Sequence, residues 1–263
     1  MYPKLLEFGD LFVPAYGVFV ALGFLAGIWL ARRLAPRAAI DPDRLTDLAI
    51  YCAICGLLGS KLLMFVFDWP EYAADPGRIF SMSTLMSAGV YHGGFFAALL
   101  FAWFYVRRMK MDFFRTADVL APGLALGHAV GRLGCFAAGC CWGTECERAW
   151  AVTFRDPDAN ALTGVPLNVP LHPAQLYESA ATALVAVILV LAFNRLRAPG
   201  QIFGLYLALY GTARAITEAF RMHDQAPPLA GLTWTQWIAI LLGVAGAALA
   251  LRLRKESRTR TKG

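Results

Sequence analysis

The chain has 263 residues, 58% of them hydrophobic and 16% charged, with a net charge of +6. A soluble domain carries about 25% charged residues, so this composition excludes one and indicates a polytopic membrane protein. The positive charge falls between apolar segments, which is the footprint of membrane orientation and not of nucleic-acid binding.

Lys4, Glu7 and Asp10 interrupt the N-terminus, and no small-residue cleavage site follows a short apolar core. The first apolar segment is therefore expected to remain as a span and not to be removed as a signal peptide. A crossing needs about 20 mostly apolar residues. Seven segments qualify: 12–31, 47–67, 88–106, 117–137, 174–194, 201–220 and 232–251. Basic residues follow alternate segments: Arg32, Arg33, Arg37 and Arg44; Arg107, Arg108, Lys110 and Arg115; Arg195 and Arg197; and a tail running from Arg252 to Lys262. The positive-inside rule places these four regions in the cytoplasm, with the N-terminus outside and the C-terminus inside. The expected fold is all-α: a single domain over 1–263 with seven transmembrane helices. A small external α/β cap over 138–173 is inserted between the fourth and fifth spans. Its glycines, prolines and the strand-like run 150–154 suggest short strands and turns.

With that orientation, the polar intramembrane residues gather in the outer half. Tyr16 opens the first span, His92 the third, and His172 and Gln175 the fifth, with Tyr177 and Glu178 a turn below. His128, Arg132 and Cys135 follow an i, i+4, i+7 pattern, as do Arg214, Glu218 and Arg221, so each trio is expected on one helix face. An intramembrane arginine costs roughly 2.5–3.5 kcal/mol on insertion scales and is retained for a partner or a ligand. Three arginines against Glu218 and Glu178 suit a phosphate, which guanidinium forks bind bidentately. The structural alternative is an Arg214–Glu218 pair within one helix and an Arg221 that snorkels to the interface. Gly93 and Gly94 after His92 allow close approach by a neighbour or ligand. His92 itself reads as a structural histidine or a base; His128 and His172 read as structural, and His223 as a solvated loop residue.

These motifs resemble the bacterial prolipoprotein diacylglyceryl transferases over nearly the whole chain. The matching pieces occur in order: Tyr16-Gly17, Tyr91-His92-Gly93-Gly94, Asp118 with Pro122, Gly131-Arg132-Leu133-Gly134 through Trp142-Gly143, His172-Pro173-Ala174-Gln175-Leu176-Tyr177-Glu178, and Arg214 through Arg221. The resemblance implies a bacterial inner-membrane enzyme. It would move the diacylglyceryl group of phosphatidylglycerol onto the lipobox cysteine of a preprolipoprotein, forming a thioether and releasing glycerol 1-phosphate, with no metal or soluble cofactor. By the same resemblance, Arg132 and Arg214 grip the phosphate and glycerol head. Glu218 orients Arg214 or binds a glycerol hydroxyl, and His92 is the base or an orienter of the head. Tyr16, Gly143, His172, Glu178 and Arg221 fall at substrate-binding positions. The familiar pattern is Gly-Arg-x-Gly-Asn-Phe-x-Asn-Gly-Glu. Here Cys135, Ala138 and Cys140 stand for the two asparagines and the glutamate. A divergent subgroup shares this Gly-Cys-Phe and Gly-Cys-Cys run.

Cys52 and Cys55 lie in the second span and read as small apolar packing residues. Cys135, Cys140, Cys141 and Cys146 cluster on the outer side, where disulfides persist. At least one disulfide is expected, with Cys146 joined to Cys140 or Cys141. Zinc is an open alternative for these cysteines, although their spacing fits no standard ligand set. Three other functions compete with the transferase: a membrane thiol oxidoreductase using the outer cysteines, a transporter of anionic solutes, and a lipid-binding relative that has lost catalysis.

Overall fold

A computed structural model of the chain describes residues 3–8, 11–82, 84, 89–196, 198–222 and 229–260. Asp10, Arg197, His223 and Lys262 lie outside the described residues. In chain order the elements are β1 (Lys4–Phe8), β2 (Leu11–Pro14), α1 (Ala15–Leu34), α2 (Pro42–Phe67), α3 (Trp69–Ala74), α4 (Tyr91–Arg108) and α5 (Phe113–Ala138). There follow β3 (Val152–Thr153), α6 (Pro157–Thr163), β4 (Pro170–Leu171), α7 (Ala174–Phe193), α8 (Gln201–Glu218) and α9 (Trp234–Arg260). Among the described residues, five helical segments are long and apolar enough to cross a membrane: Ala15–Ala38, Pro42–Phe67, Phe113–Ala138, Ala174–Phe193 and Trp234–Arg254. This is a mostly helical, polytopic membrane protein. Helices also form at the other two expected places, but α4 and α8 have 18 residues each and are polar at their ends. His92, Arg107 and Arg108 dilute α4; Gln201, Arg214 and Glu218 dilute α8.

The chain divides into two compact units, residues 1–38 with 117–263 and residues 39–116. In the first unit, β1 and β2 form an antiparallel hairpin. Its second strand occupies residues expected to be helical, so α1 begins at Ala15, after an extended Pro14 at the N-cap. Arg32 and Arg33 close α1, where the carbonyl end of the helix dipole favours cations. The α1–α5 seam is built from glycine. A Cβ on Gly23 would lie 2.6 Å from the Gly127 carbonyl oxygen, and one on Gly27 2.8 Å from that of Gly123. Without side chains there, the two backbones touch, the usual way helices pack when lipid supplies no hydrophobic drive between them. Gly204 and Gly246 play the same part between α8 and α9, where a Cβ on Gly204 would sit 2.9 Å from the Gly246 oxygen.

Between α5 and α7 the chain folds on itself. Strands β3 and β4 pair, and Phe154, Ala159, Val165 and Leu171 are buried together with Trp142, Val152 and Val169 against them. Asp156 caps α6 by accepting the Asp158 N–H at 2.9 Å, and Gly164 ends it at φ 76°. Strand β3 covers only Val152–Thr153, shorter than the strand-like run 150–154. Lys4 of the hairpin is paired with Asp158 of α6 at 2.9 Å.

In the second unit, Asp41 caps α2 with Pro42 at its first position. Gly94 lies against Gly56 of α2: a Cβ on Gly94 would be 2.7 Å from the Gly56 oxygen. The glycines after His92 therefore serve a helix–helix contact. Cys52 supports the same seam, its thiol donating to the Ala98 carbonyl at 3.6 Å. Leu57, Leu58, Leu62, Val66 and Phe67 of α2 face outward, the composition expected against acyl chains.

Candidate active site

Helix α5 sets the site's geometry. Asp112 starts it by accepting the Arg115 N–H at 2.8 Å. Near this end lies Pro122, which has no N–H and crowds the carbonyl four residues before it, that of residue 118. The Asp118 carboxylate accepts the Gly200 and Phe203 N–H groups, both at 2.7 Å, and so caps the start of α8. This contact holds α5 and α8 together at one end.

At the other end the expected face is present. His128 and Arg132 lie one turn apart, with the Arg132 Nε 3.3 Å from the His128 Nε2. The Arg132 Nη1 donates to the Cys135 sulfur at 3.8 Å. Both His128 and Arg132 reach Glu178 of α7: His128 Nε2 is 2.9 Å and Arg132 Nη2 3.0 Å from the same Oε1. Arg214 of α8 approaches that oxygen too, its Nε at 3.9 Å. Arg214 also pairs with Glu218 one turn on, and the Thr233 hydroxyl is 3.5 Å from Glu218. Glu178 and Glu218 are each 2% exposed. Two arginines from separate helices therefore converge on one buried carboxylate. The Arg214–Glu218 pair within one helix also exists, so the structural alternative is correct as far as that contact goes, and incomplete.

Arg221 departs from expectation. Helix α8 ends at Glu218, and Arg221 instead forms a β-bridge with Gly143. The trio Arg214, Glu218 and Arg221 thus shares no single helical face. The Gly143 N–H donates to the His172 carbonyl at 3.1 Å. A Cβ at position 143 would lie 2.6 Å from that oxygen. Beside it, His172 Nδ1 lies 3.1 Å from the Tyr177 hydroxyl, which accepts the Trp150 indole N–H at 2.8 Å. Phe220 packs against both rings, with centroids 5.2 Å and 5.5 Å away.

Tyr16 is in the first turn of α1 and is 44% exposed. Gly134 lets α1 approach, since a Cβ there would be 3.2 Å from the Tyr16 oxygen. His92 belongs to the second unit, exposed in the first turn of α4 and edge-on to Tyr91. Gln175 is buried, and its amide donates to the Cys140 carbonyl at 2.7 Å. Sequence reasoning understates His128 and Glu178. Spacing places His128 on the Arg132 face, but nothing local marks Glu178 as the point where His128 and both arginines meet.

The expected disulfide is not formed. All six cysteines are free thiols. Cys146 is buried against the cap, its N–H donating to the Pro170 carbonyl. The sulfurs that do meet are those of Cys135, Cys140 and Cys141. The reason is a left-handed turn at Gly139, which folds residues 140 and 141 back over the last turn of α5.

Guanidinium groups from two helices thus surround one buried carboxylate in a polytopic helical membrane protein. The family model described as prolipoprotein diacylglyceryl transferase matches residues 3–252. The chain belongs to that family. Similar curated relatives carry the name phosphatidylglycerol–prolipoprotein diacylglyceryl transferase. The protein from Dehalococcoides mccartyi (strain BAV1) is 32% identical, covering 98% of this chain and 96% of its own. That from Clostridium tetani is 29% identical over 94% and 95%. That from Trichormus variabilis is 32% identical over 94% and 88%.

Proposed function

We propose that this chain is an enzyme that transfers the diacylglyceryl group of phosphatidylglycerol to the lipobox cysteine of preprolipoproteins in the bacterial inner membrane. The observation that carries this reading is the convergence of Arg132 and Arg214 on a single oxygen of Glu178. In the free enzyme, Glu178 and Glu218 balance the two guanidinium groups. A phosphate entering the site competes for the same donors, so the arginines are held ready without being left unpaired. When the C–O bond between the diacylglyceryl carbon and the phosphate breaks, charge grows on the leaving glycerol 1-phosphate, and the arginines stabilise it. The thiol sulfur attacks the same carbon and forms the thioether. Its proton must leave, because only the thiolate of a group with pKa about 8.5 is nucleophilic. We assign that proton to His92, or assign His92 the orientation of the head group. Tyr16, Gly143, His172 and Arg221 are assigned to substrate binding, with Gly143 shaping the backbone that His172 and Arg221 share.

The seven-span arrangement is part of the same proposal: a single membrane domain over 1–263, the N-terminus outside, the C-terminus cytoplasmic, and the segment 138–173 as an external cap. Alternation of basic connections supports it. The test is transfer from phosphatidylglycerol to a lipobox peptide by the purified chain, together with rescue of a strain depleted of its own transferase. Lipid binding without thioether formation by a well-inserted protein would overturn the assignment in favour of a relative that binds lipid only.

A further inference from the structure

The end of α5 assembles a second set of chemical groups. Its last turn closes with the Cys140 N–H on the Cys135 carbonyl at 3.1 Å and the Gly139 N–H on Phe136 at 3.3 Å. Gly139 takes φ 79°, which glycine adopts freely. Cys141 then takes φ 61°, where an L side chain costs roughly 1–2 kcal/mol. A residue is not held there without compensation, and here sulfur meets sulfur. The Sγ atoms of Cys135, Cys140 and Cys141 all lie within 4.8 Å of one another. Three thiolates at about 2.3 Å from one metal ion stand about 4 Å apart, so small shifts suffice to close on an ion. A disulfide would use two of the three sulfurs and strand the third.

A cation already borders the cluster. Arg132 donates to the Cys135 sulfur, and Cys135 is 7% exposed. Among the described residues no carboxylate joins the three sulfurs, so the cluster suits a soft ion better than a hard one. Thiolate sets select soft ions.

We propose that Cys135, Cys140 and Cys141 form a three-thiolate site for one thiophilic d10 metal ion, Zn²⁺ or Cu⁺, beside Arg132. Binding forms three metal–sulfur bonds and releases to solvent the protons still held by the thiols; no electron is transferred. Cu⁺ is satisfied by three sulfurs, whereas Zn²⁺ takes a water or another external ligand as its fourth. The proposal stands apart from the transferase reading, since its readout is metal binding.

The full-length chain, purified in detergent under anaerobic, reducing conditions, is titrated separately with Zn²⁺ and Cu⁺ against a chromophoric chelator. Cd²⁺ serves as an optical probe through its thiolate charge-transfer band. One ion per chain is expected for at least one of the two metals. Cys135→Ser and Cys140→Ser are each expected to weaken binding about tenfold or more, with monodispersity confirming that each variant folds. Cys146→Ser and Cys52→Ser are expected to leave affinity unchanged. As an independent check, bound metal should protect the three thiols, and only those, from alkylation mapped by mass spectrometry. Absence of stoichiometric binding by both metals, undiminished affinity in Cys140→Ser, or a disulfide between two of the three in protein taken from cells would overturn the proposal.

Discussion

The two ends of α5 both hold buried charge, and they hold it differently. At one end Asp118 is matched to two backbone N–H groups at the start of α8. Those donors cannot move without unwinding the helix, so the carboxylate serves as a fixed rivet. At the other end Glu178 is matched to side chains only, with His128, Arg132 and Arg214 around one oxygen. Side-chain donors can turn to a competing anion at the cost of a rotamer. A buried charge satisfied by backbone speaks for architecture; one satisfied by a ring of mobile side chains speaks for a ligand.

The largest effect should come from breaking the mobile end. On the proposed mechanism Arg132→Ala removes one guanidinium fork from the leaving phosphate, so transfer is expected to fall roughly 100- to 1000-fold, the usual loss when one preorganised donor is removed. Lipobox-peptide lipidation measures it, and helical content by circular dichroism should stay near wild type. Arg132→Lys sharpens the point: it keeps the charge but loses bidentate geometry, so most of the defect should persist. Transfer at wild-type rate in Arg132→Ala would make this arginine a structural residue like Asp118.

Asp118→Asn tests the fixed end with a smaller effect. The amide keeps one acceptor and leaves one helix N–H poorly paired, costing about 1–3 kcal/mol. A lower thermal midpoint in detergent is expected, with KM for phosphatidylglycerol unchanged. A raised KM at full stability would mean that the two ends are not separable.

Much of this contrast is legible in sequence, and the illegible parts share a cause. The i, i+4, i+7 spacing of His128, Arg132 and Cys135 survives intact because helical periodicity is local. Glu178 is visible there only as a possible counter-charge, since its role depends on three helices meeting. Spacing misplaces Arg221 because Ala219 and Phe220 carry no stop signal; the helix ends there as the chain turns to bridge Gly143. The hairpin before α1 is likewise hidden, because its second strand, Leu11–Pro14, is as apolar as the span that follows it. Adjacent cysteines beside a cap suggest a bridge to Cys146, but the turn at Gly139 brings residues 140 and 141 back to Cys135 instead.

The smallest effect should come from the aromatic group beside the site. Tyr177→Phe deletes a hydroxyl that accepts from Trp150 and meets His172. Trp150 is 59% exposed, so its N–H can turn to water, and that loss costs little. The His172 ring keeps its packing on Phe220 but loses the bond that fixes its tautomer and tilt. A destabilisation of about 0.5–1.5 kcal/mol is therefore expected, with transfer falling less than about tenfold. If His172 only positions lipid, the change should appear in KM for phosphatidylglycerol with kcat retained. A loss of kcat as deep as that of Arg132→Ala would move the His172–Tyr177 pair from the rim of the site into its reacting centre.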